Sequence, residues 1–269
     1  MQREGLWTEV RGTGEPLLVL LHGLNSTAAV WEPLDAVVAR SWPGRRMLID
    51  LPGHGLSDPL PEYSFGVVAA KVASAIGRVA IPVVLVGHSM GGVVALTLAS
   101  GWFGTQVASA LAVGVKVDWT PEELAAAART RDRAVKWYDS HHEAERRYVH
   151  VAGLPPAAPS DPALLARGVT TADGRFRVAA DPRAGSIGAP AMESLMAAAT
   201  VPVRLAGGES DEMVNIDRLR RFDPEAAVVA GCGHNAHVER PSALAQLITT
   251  STTCRSGART QHTTTRKVR

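Results

Sequence analysis

One short stretch offers a serine in a setting that nucleophilic chemistry requires. Residues 82–92 read PVVLVGHSMGG, and Gly87-His88-Ser89-Met90-Gly91 fits the pattern G-x-S-x-G. An apolar run of strand type precedes it and a helical stretch follows, which is the context this pattern needs. The turn between them is so tight that side chains two residues either side of the serine would collide, hence Gly87 and Gly91. The Ser89 hydroxyl is then held clear of the backbone. The Met90 N–H, at the start of the following helix, faces the place where a substrate oxyanion would form. A second amide donor is expected from LLHGLNS (20–26), where a strand ends in His22-Gly23 and the next N–H belongs to Leu24.

A serine hydroxyl is a poor nucleophile until a base takes its proton, and the base must be oriented by an acid. Late in the chain GCGHNAHVERP (231–241) places His234 first after a glycine turn, with His237 three residues on. His234 is the expected base, and His237 a packing residue. For the acid, GGESDEM (207–213) follows an apolar strand and offers Glu209, Asp211 and Glu212. Asp118, at the end of AVGVKVD, is the rival. The remaining histidines read as structural: His88 packed beside the serine, His54 in a turn, and His141, His142 and His150 on surface helices. No metal-binding spacing such as HExxH occurs on a helix, and neither a phosphate-binding GxxxxGK loop nor GxGxxG is present, so neither a metal nor a cofactor is expected.

These residues need a scaffold, and the chain supplies a rhythm for one. Strands are predicted at 16–21, 46–50, 82–87, 107–117, 202–207 and 226–230. Helices are predicted between them at 28–40, 65–79, 90–100, 192–199 and 215–221, with a last one from Pro241. Apolar runs alternating with helices imply a mostly parallel sheet covered on both faces. Right-handed crossovers put the C-terminal ends of the strands, and the candidate residues, at one edge. From Asp118 to Pro190 the rhythm fails. TPEE (120–123) has capping-box spacing, a second helical stretch carries Trp137, Tyr138, His141 and His142, and TADGRFRVAADP holds an Asp-Gly turn. The expectation is a mainly helical cap over 118–190, inserted in a core of 1–117 and 191–250.

In order along the chain, LLHGLNS, DLPGHGLSD (50–58), VGHSMGG, GGESDEM and GCGHNAHVERP resemble the successive motifs of the α/β-hydrolase-fold superfamily. The resemblance implies a capped serine hydrolase of carboxylesterase type. It maps the nucleophile onto Ser89, the acid onto Asp211 and the base onto His234. Some members carry the acid at the position of Asp118. The sequence departs from the family in its short beginning, where only GLWTEV (5–10) precedes the first motif, so a leading edge strand is expected to be missing.

The charge needs one correction. The chain has 28 Lys and Arg against 26 Asp and Glu, but Arg255, Arg259, Arg266, Lys267 and Arg269 all fall in the tail after residue 250. The rest is mildly acidic, which argues against nucleic-acid binding. The tail lacks apolar periodicity and is expected to be disordered. Cys232 and Cys254 suggest no disulfide framework. No run approaches the ~20 apolar residues of a membrane span, and no secretory signal opens the chain, so a cytoplasmic protein with no membrane partner is expected.

The expected reaction is hydrolysis of a small or medium carboxylic ester, lactone or thioester through an acyl-enzyme on Ser89. Carbon–carbon bond hydrolysis and perhydrolysis are alternatives on the same machinery, and a non-hydrolytic ligand receptor is the alternative of another class. Trp119, Trp137, Tyr138 and the stretch from Met192 to Met196 are the apolar candidates for the substrate pocket.

Overall fold

The computed structural model describes residues 5–158 and 161–253. Its centre is a seven-stranded sheet of β1 (Thr8–Arg11), β2 (Leu17–Leu21), β3 (Arg46–Ile49), β4 (Val83–His88), β5 (Val107–Val113), β8 (Val203–Gly208) and β9 (Ala227–Val229). The spatial order is β1-β3-β2-β4-β5-β8-β9. Every neighbouring pair is parallel except β1 with β3. The short beginning still forms an edge strand, β1, and no strand precedes it among the described residues. Four residues of GLWTEV and its continuation suffice, because β1 pairs Thr8 with Ile49 and Arg11 with Arg46 and needs only one neighbour.

The sheet is buried on both faces, which explains why its strands read as continuous apolar runs. Successive side chains alternate in direction. Leu18, Leu20, Leu48, Val84 and Val86 pack against α1 (Glu32–Val38) and α10 (Pro241–Thr253) through Leu34, Leu244 and Ile248. Leu17, Val19, Leu21, Ile49 and Leu85 face the other way, toward α2 (Phe65–Ile76) and α3 (Met90–Ala99). Every residue of α3 is buried, as expected of a helix apolar on all sides.

Between β5 and α7 (Met192–Ala198) lie α4 (Pro121–Ala128), α5 (His141–Val151), α6 (Pro162–Leu165) and a hairpin of β6 (Val169–Ala172) and β7 (Arg175–Val178). The capping box at Thr120 and Glu123 forms as its spacing requires. The segment is mainly helical, and the hairpin is an addition to that expectation. Asp173 and Gly174 both take positive φ, 51° and 74°, the geometry of the tight turn that joins two short strands. Trp137 and Tyr138 are not helical either: Tyr138 bridges Phe176 on β7 and α5 begins only at His141. Nor does the segment merely project. Tyr148 of α5 is fully buried in the same core cluster as Leu18 and Trp31.

The last elements are α8 (Ile216–Leu219) before β9, and α9 (Ala236–Glu239) before α10. The first residues of the expected tail, 251–253, are helical in α10; Cys254 and the remaining tail lie outside the described residues. No helix among the described residues is long and apolar enough to cross a membrane.

Candidate active site

Ser89 sits between β4 and α3 with φ 50° and ψ −115°, a conformation costly for a residue with a Cβ and tolerated where surrounding structure enforces it. The glycines show how tightly it is enforced. A Cβ on Gly87 would lie 2.1 Å from the Gly91 carbonyl oxygen, and one on Gly91 would lie 2.2 Å from that of Leu21. The Ser89 N–H is itself fixed, donating to the Val113 carbonyl at 2.8 Å.

Ser89 and His234 line one cavity of about 280 Å³. The imidazole is 16% exposed, and its Nδ1 is 2.8 Å from Oδ2 of Asp211, whose side chain is fully buried. The other carboxylate oxygen, Oδ1, accepts from the Met213 N–H at 2.9 Å. An ionised carboxylate only accepts, so the proton belongs on Nδ1 and Nε2 keeps its lone pair. Asp118 is elsewhere. β5 ends at Val113, short of it, and its carboxylate accepts from Arg218 at 2.9 Å and Arg221 at 2.7 Å.

Three hydrogen bonds from two side chains hold the backbone around His234. Glu239 of α9 accepts from the N–H of Gly233 at 3.0 Å with one oxygen and from that of Asn235 at 3.1 Å with the other. His88 places Nε2 2.9 Å from the His234 carbonyl and donates to it. His237 is fully buried, its ring 4.5 Å from that of Trp31 and 4.6 Å from that of His88. Neither of its nitrogens has a hydrogen-bond partner among the described residues. Burial pushes it down to about 3, so it is a neutral packing ring.

The motif DLPGHGLSD supports the loop that carries Leu24. Asp50, wholly buried, accepts from the N–H groups of Ala28 at 2.7 Å and Leu56 at 3.0 Å. His54 donates from Nδ1 to the Pro52 carbonyl and accepts at Nε2 from the Asn25 N–H. His22 likewise donates to the Gly23 carbonyl and accepts from the Leu51 N–H. Both rings must be neutral to play these double roles, and burial pushes His22 down to about 4 and His54 to about 3. Leu24 and Met90, the expected oxyanion donors, both line the cavity.

The pocket candidates divide. Trp119 lines the cavity beside Lys116, whose ammonium lies 5.2 Å above its ring. Tyr138 lines a neighbouring chamber instead. Trp137 lines neither; it faces a separate depression near Gly53 and Asp181, with the Arg177 guanidinium 5.6 Å from its ring. Met192 is buried against Val93 and Leu96 in the core. Sequence reading missed Phe65, His150, Val151, Ile187 and Met213, which complete the cavity wall. They come from four separate parts of the chain and no local pattern marks them. The role of Glu239 was visible only as the HVERP frame.

The sequence profile of the Alpha/beta hydrolase family matches residues 18–247. The chain is 30% identical to the 2-(acetamidomethylene)succinate hydrolase of Mesorhizobium japonicum, over 89% of this chain and 88% of that protein. It is also 30% identical to the 2-succinyl-6-hydroxy-2,4-cyclohexadiene-1-carboxylate synthase of Salmonella newport, covering 87% and 94%. Among solved structures, E-2-(acetamidomethylene)succinate hydrolase superposes with a TM-score of 0.67 at 29% identity, covering 90% of this chain and 93% of that one. With this sheet, this serine turn and these matches, the chain belongs to the alpha/beta hydrolase family.

Proposed function

We propose that the protein is a serine hydrolase that cleaves a small or medium carboxylic ester, lactone or thioester. The observation that carries this reading is the shared cavity of Ser89 and His234, with His234 Nδ1 bound to the buried Asp211 carboxylate. The Ser89 hydroxyl attacks the substrate carbonyl while His234 Nε2 accepts its proton. The N–H groups of Leu24 and Met90 stabilise the tetrahedral oxyanion. Collapse expels the alcohol or thiol, which takes the proton from His234, and leaves an acyl-enzyme. A water that gives its proton to His234 then attacks the acyl carbonyl, and the acid leaves as Ser89 regains its hydrogen. Asp211 holds the tautomer throughout and stabilises the imidazolium that forms twice per cycle.

Phe65, Val93, Trp119, Val151, Ile187 and Met213 give the cavity an apolar wall, and its volume is near the lower end of the ~300–1,000 Å³ typical of small-molecule sites. A modest acyl chain suits it. The test is a serine-directed fluorophosphonate together with short-chain 4-nitrophenyl esters. Labelling of the wild type but not Ser89→Ala, with turnover lost in the same variant, is the expected result. A folded protein that neither labels nor turns over any ester is a ligand receptor rather than a hydrolase.

A further inference from the structure

Beside the cavity that holds Ser89 lies a second chamber of about 360 Å³. The two share Leu24, Asn25, Val151 and Gly185 as a common wall, so they adjoin at the loop of the proposed oxyanion donor. The linings differ in kind. The inner one is mostly apolar, whereas the outer one carries Arg133, Lys136, Arg147 and Arg177. No Asp or Glu lines it.

These four cations come from separate places: Arg133 and Lys136 from the stretch after α4, Arg147 from α5, and Arg177 from β7. None makes an ion pair among the described residues. Elsewhere Arg11, Arg46, Arg183 and Arg204 each have a carboxylate within 3 Å. Arg147 and Arg177 are half-buried, and Arg177, which lines both this chamber and the depression at Trp137 and Asp181, is braced, its Nη1 donating to the Val178 carbonyl at 3.1 Å and its guanidinium lying over Trp137. Like charges gathered around one concavity repel each other and concentrate the field on whatever enters. Arginine presents paired donors that match a carboxylate or phosphate.

We propose that the outer chamber is an anion subsite, and that the substrate carries a carboxylate or phosphate group remote from the carbonyl that Ser89 attacks. The apolar acyl portion spans the wall at Leu24 and Asn25, and the anionic end meets Arg147 and Arg177. This rests on the serine-hydrolase reading for the position of the reacting carbonyl, but the charge preference is measurable without turnover.

The experiment compares 4-nitrophenyl hydrogen adipate and suberate with the neutral hexanoate and octanoate esters of matching chain length. Affinity is measured by calorimetry on Ser89→Ala protein, and kcat/KM on wild type. The expected preference for the acid-ended ester is about 10-fold or more at low salt, shrinking as salt screens the cations. Arg147→Gln with Arg177→Gln collapses the ratio of charged to neutral, and Arg177→Lys keeps part of it; melting curves confirm that each variant is folded. Phosphonate-ended esters of the same length identify the preferred anion, and a preference for either anionic end over the neutral one supports the subsite. Equal affinity for charged and neutral esters at both lengths, or a preference untouched by the double variant, overturns it. Failure of the hydrolase reading shows separately, as absent fluorophosphonate labelling of Ser89 in a protein that still discriminates by charge.

Discussion

The edge of the sheet and the segment above it are built by opposite means. Around Ser89 and His234, position is enforced by backbone in near contact with backbone, by buried or half-buried carboxylates that accept N–H groups, and by neutral imidazoles that donate and accept at once. Over 118–190 the elements are short, α4 buries no side chain, and the hairpin strands are largely exposed or half-buried. The first region tolerates almost nothing. The second fixes its shape mainly through α5 and leaves its charged side chains toward a chamber. Machinery that must meet a reacting atom to within a fraction of an ångström belongs in the first, and selectivity, which only has to differ between ligands, in the second.

The sharpest way to break this contrast is at the reacting groups. Ser89→Ala and His234→Ala are each expected to lower kcat by about 10⁴-fold or more, and Asp211→Asn by about 10⁴-fold. Asp118→Asn should leave ester turnover within about threefold, as befits a surface ion pair. Turnover surviving Asp211→Asn but lost in Asp118→Asn would move the acid to the other loop.

Next come the glycines. Gly87→Ala and Gly91→Ala force a methyl against backbone oxygens, so the penalty should exceed the ~3 kcal/mol usual for overpacking. A wild-type melting curve for either would show that the turn is looser than its geometry implies. Glu239→Gln is smaller: it weakens the clamp either side of His234 without opening a cavity. A drop in kcat of about 10-fold with KM and melting temperature little changed is expected of a positioning residue. Unchanged kcat would mean that His88 and the glycine turn hold the loop unaided.

Stability should depend on pH through the buried rings. His22, His54 and His237 are held well below their ordinary 6.5 by burial. The unfolded chain therefore binds protons that the folded one refuses. The stability these neutral rings require is intact above pH 6.5 and drains away as pH falls toward 4. Thermal melts across pH 8 to 4 should show a declining midpoint, and His237→Phe should flatten that decline, since its nitrogens have no partner to lose. The smallest effect belongs to neutral esters at the cap: Trp137→Ala should leave their KM within about twofold, while Trp119→Ala raises it through lost apolar contact.

Much of the scaffold was legible because its signals are local. Strand runs such as LLVLL and the G-x-S-x-G turn announce themselves within a few residues, and the order of the motifs picked out Ser89, Asp211 and His234, which the fold brings to one edge. β1 escaped because an edge strand needs only four residues and a single partner. The hairpin in the cap showed only its Asp-Gly turn, since β6 and β7 have four residues each and only β7, as RFRV, alternates polar with apolar. Trp137 and Trp119 look alike in sequence, yet only one lines the site; which side of a short loop a side chain leaves depends on the neighbours that fold against it. His88 reads as a packing residue and His54 as part of a turn, but their partners lie far along the chain, 29 residues away between His54 and Asn25 and 146 between His88 and His234.

Two side-chain amides tie the regions together. Asn25, next to Leu24, donates to the Val151 carbonyl at 3.3 Å, and Asn235, next to His234, donates to that of Gly153. Both grips fall at the C-terminal end of α5, where helix carbonyls lack partners of their own. That end is thus a common reference point for the loops that carry Leu24 and His234. A one-residue insertion or deletion in α5 therefore shifts both loops together.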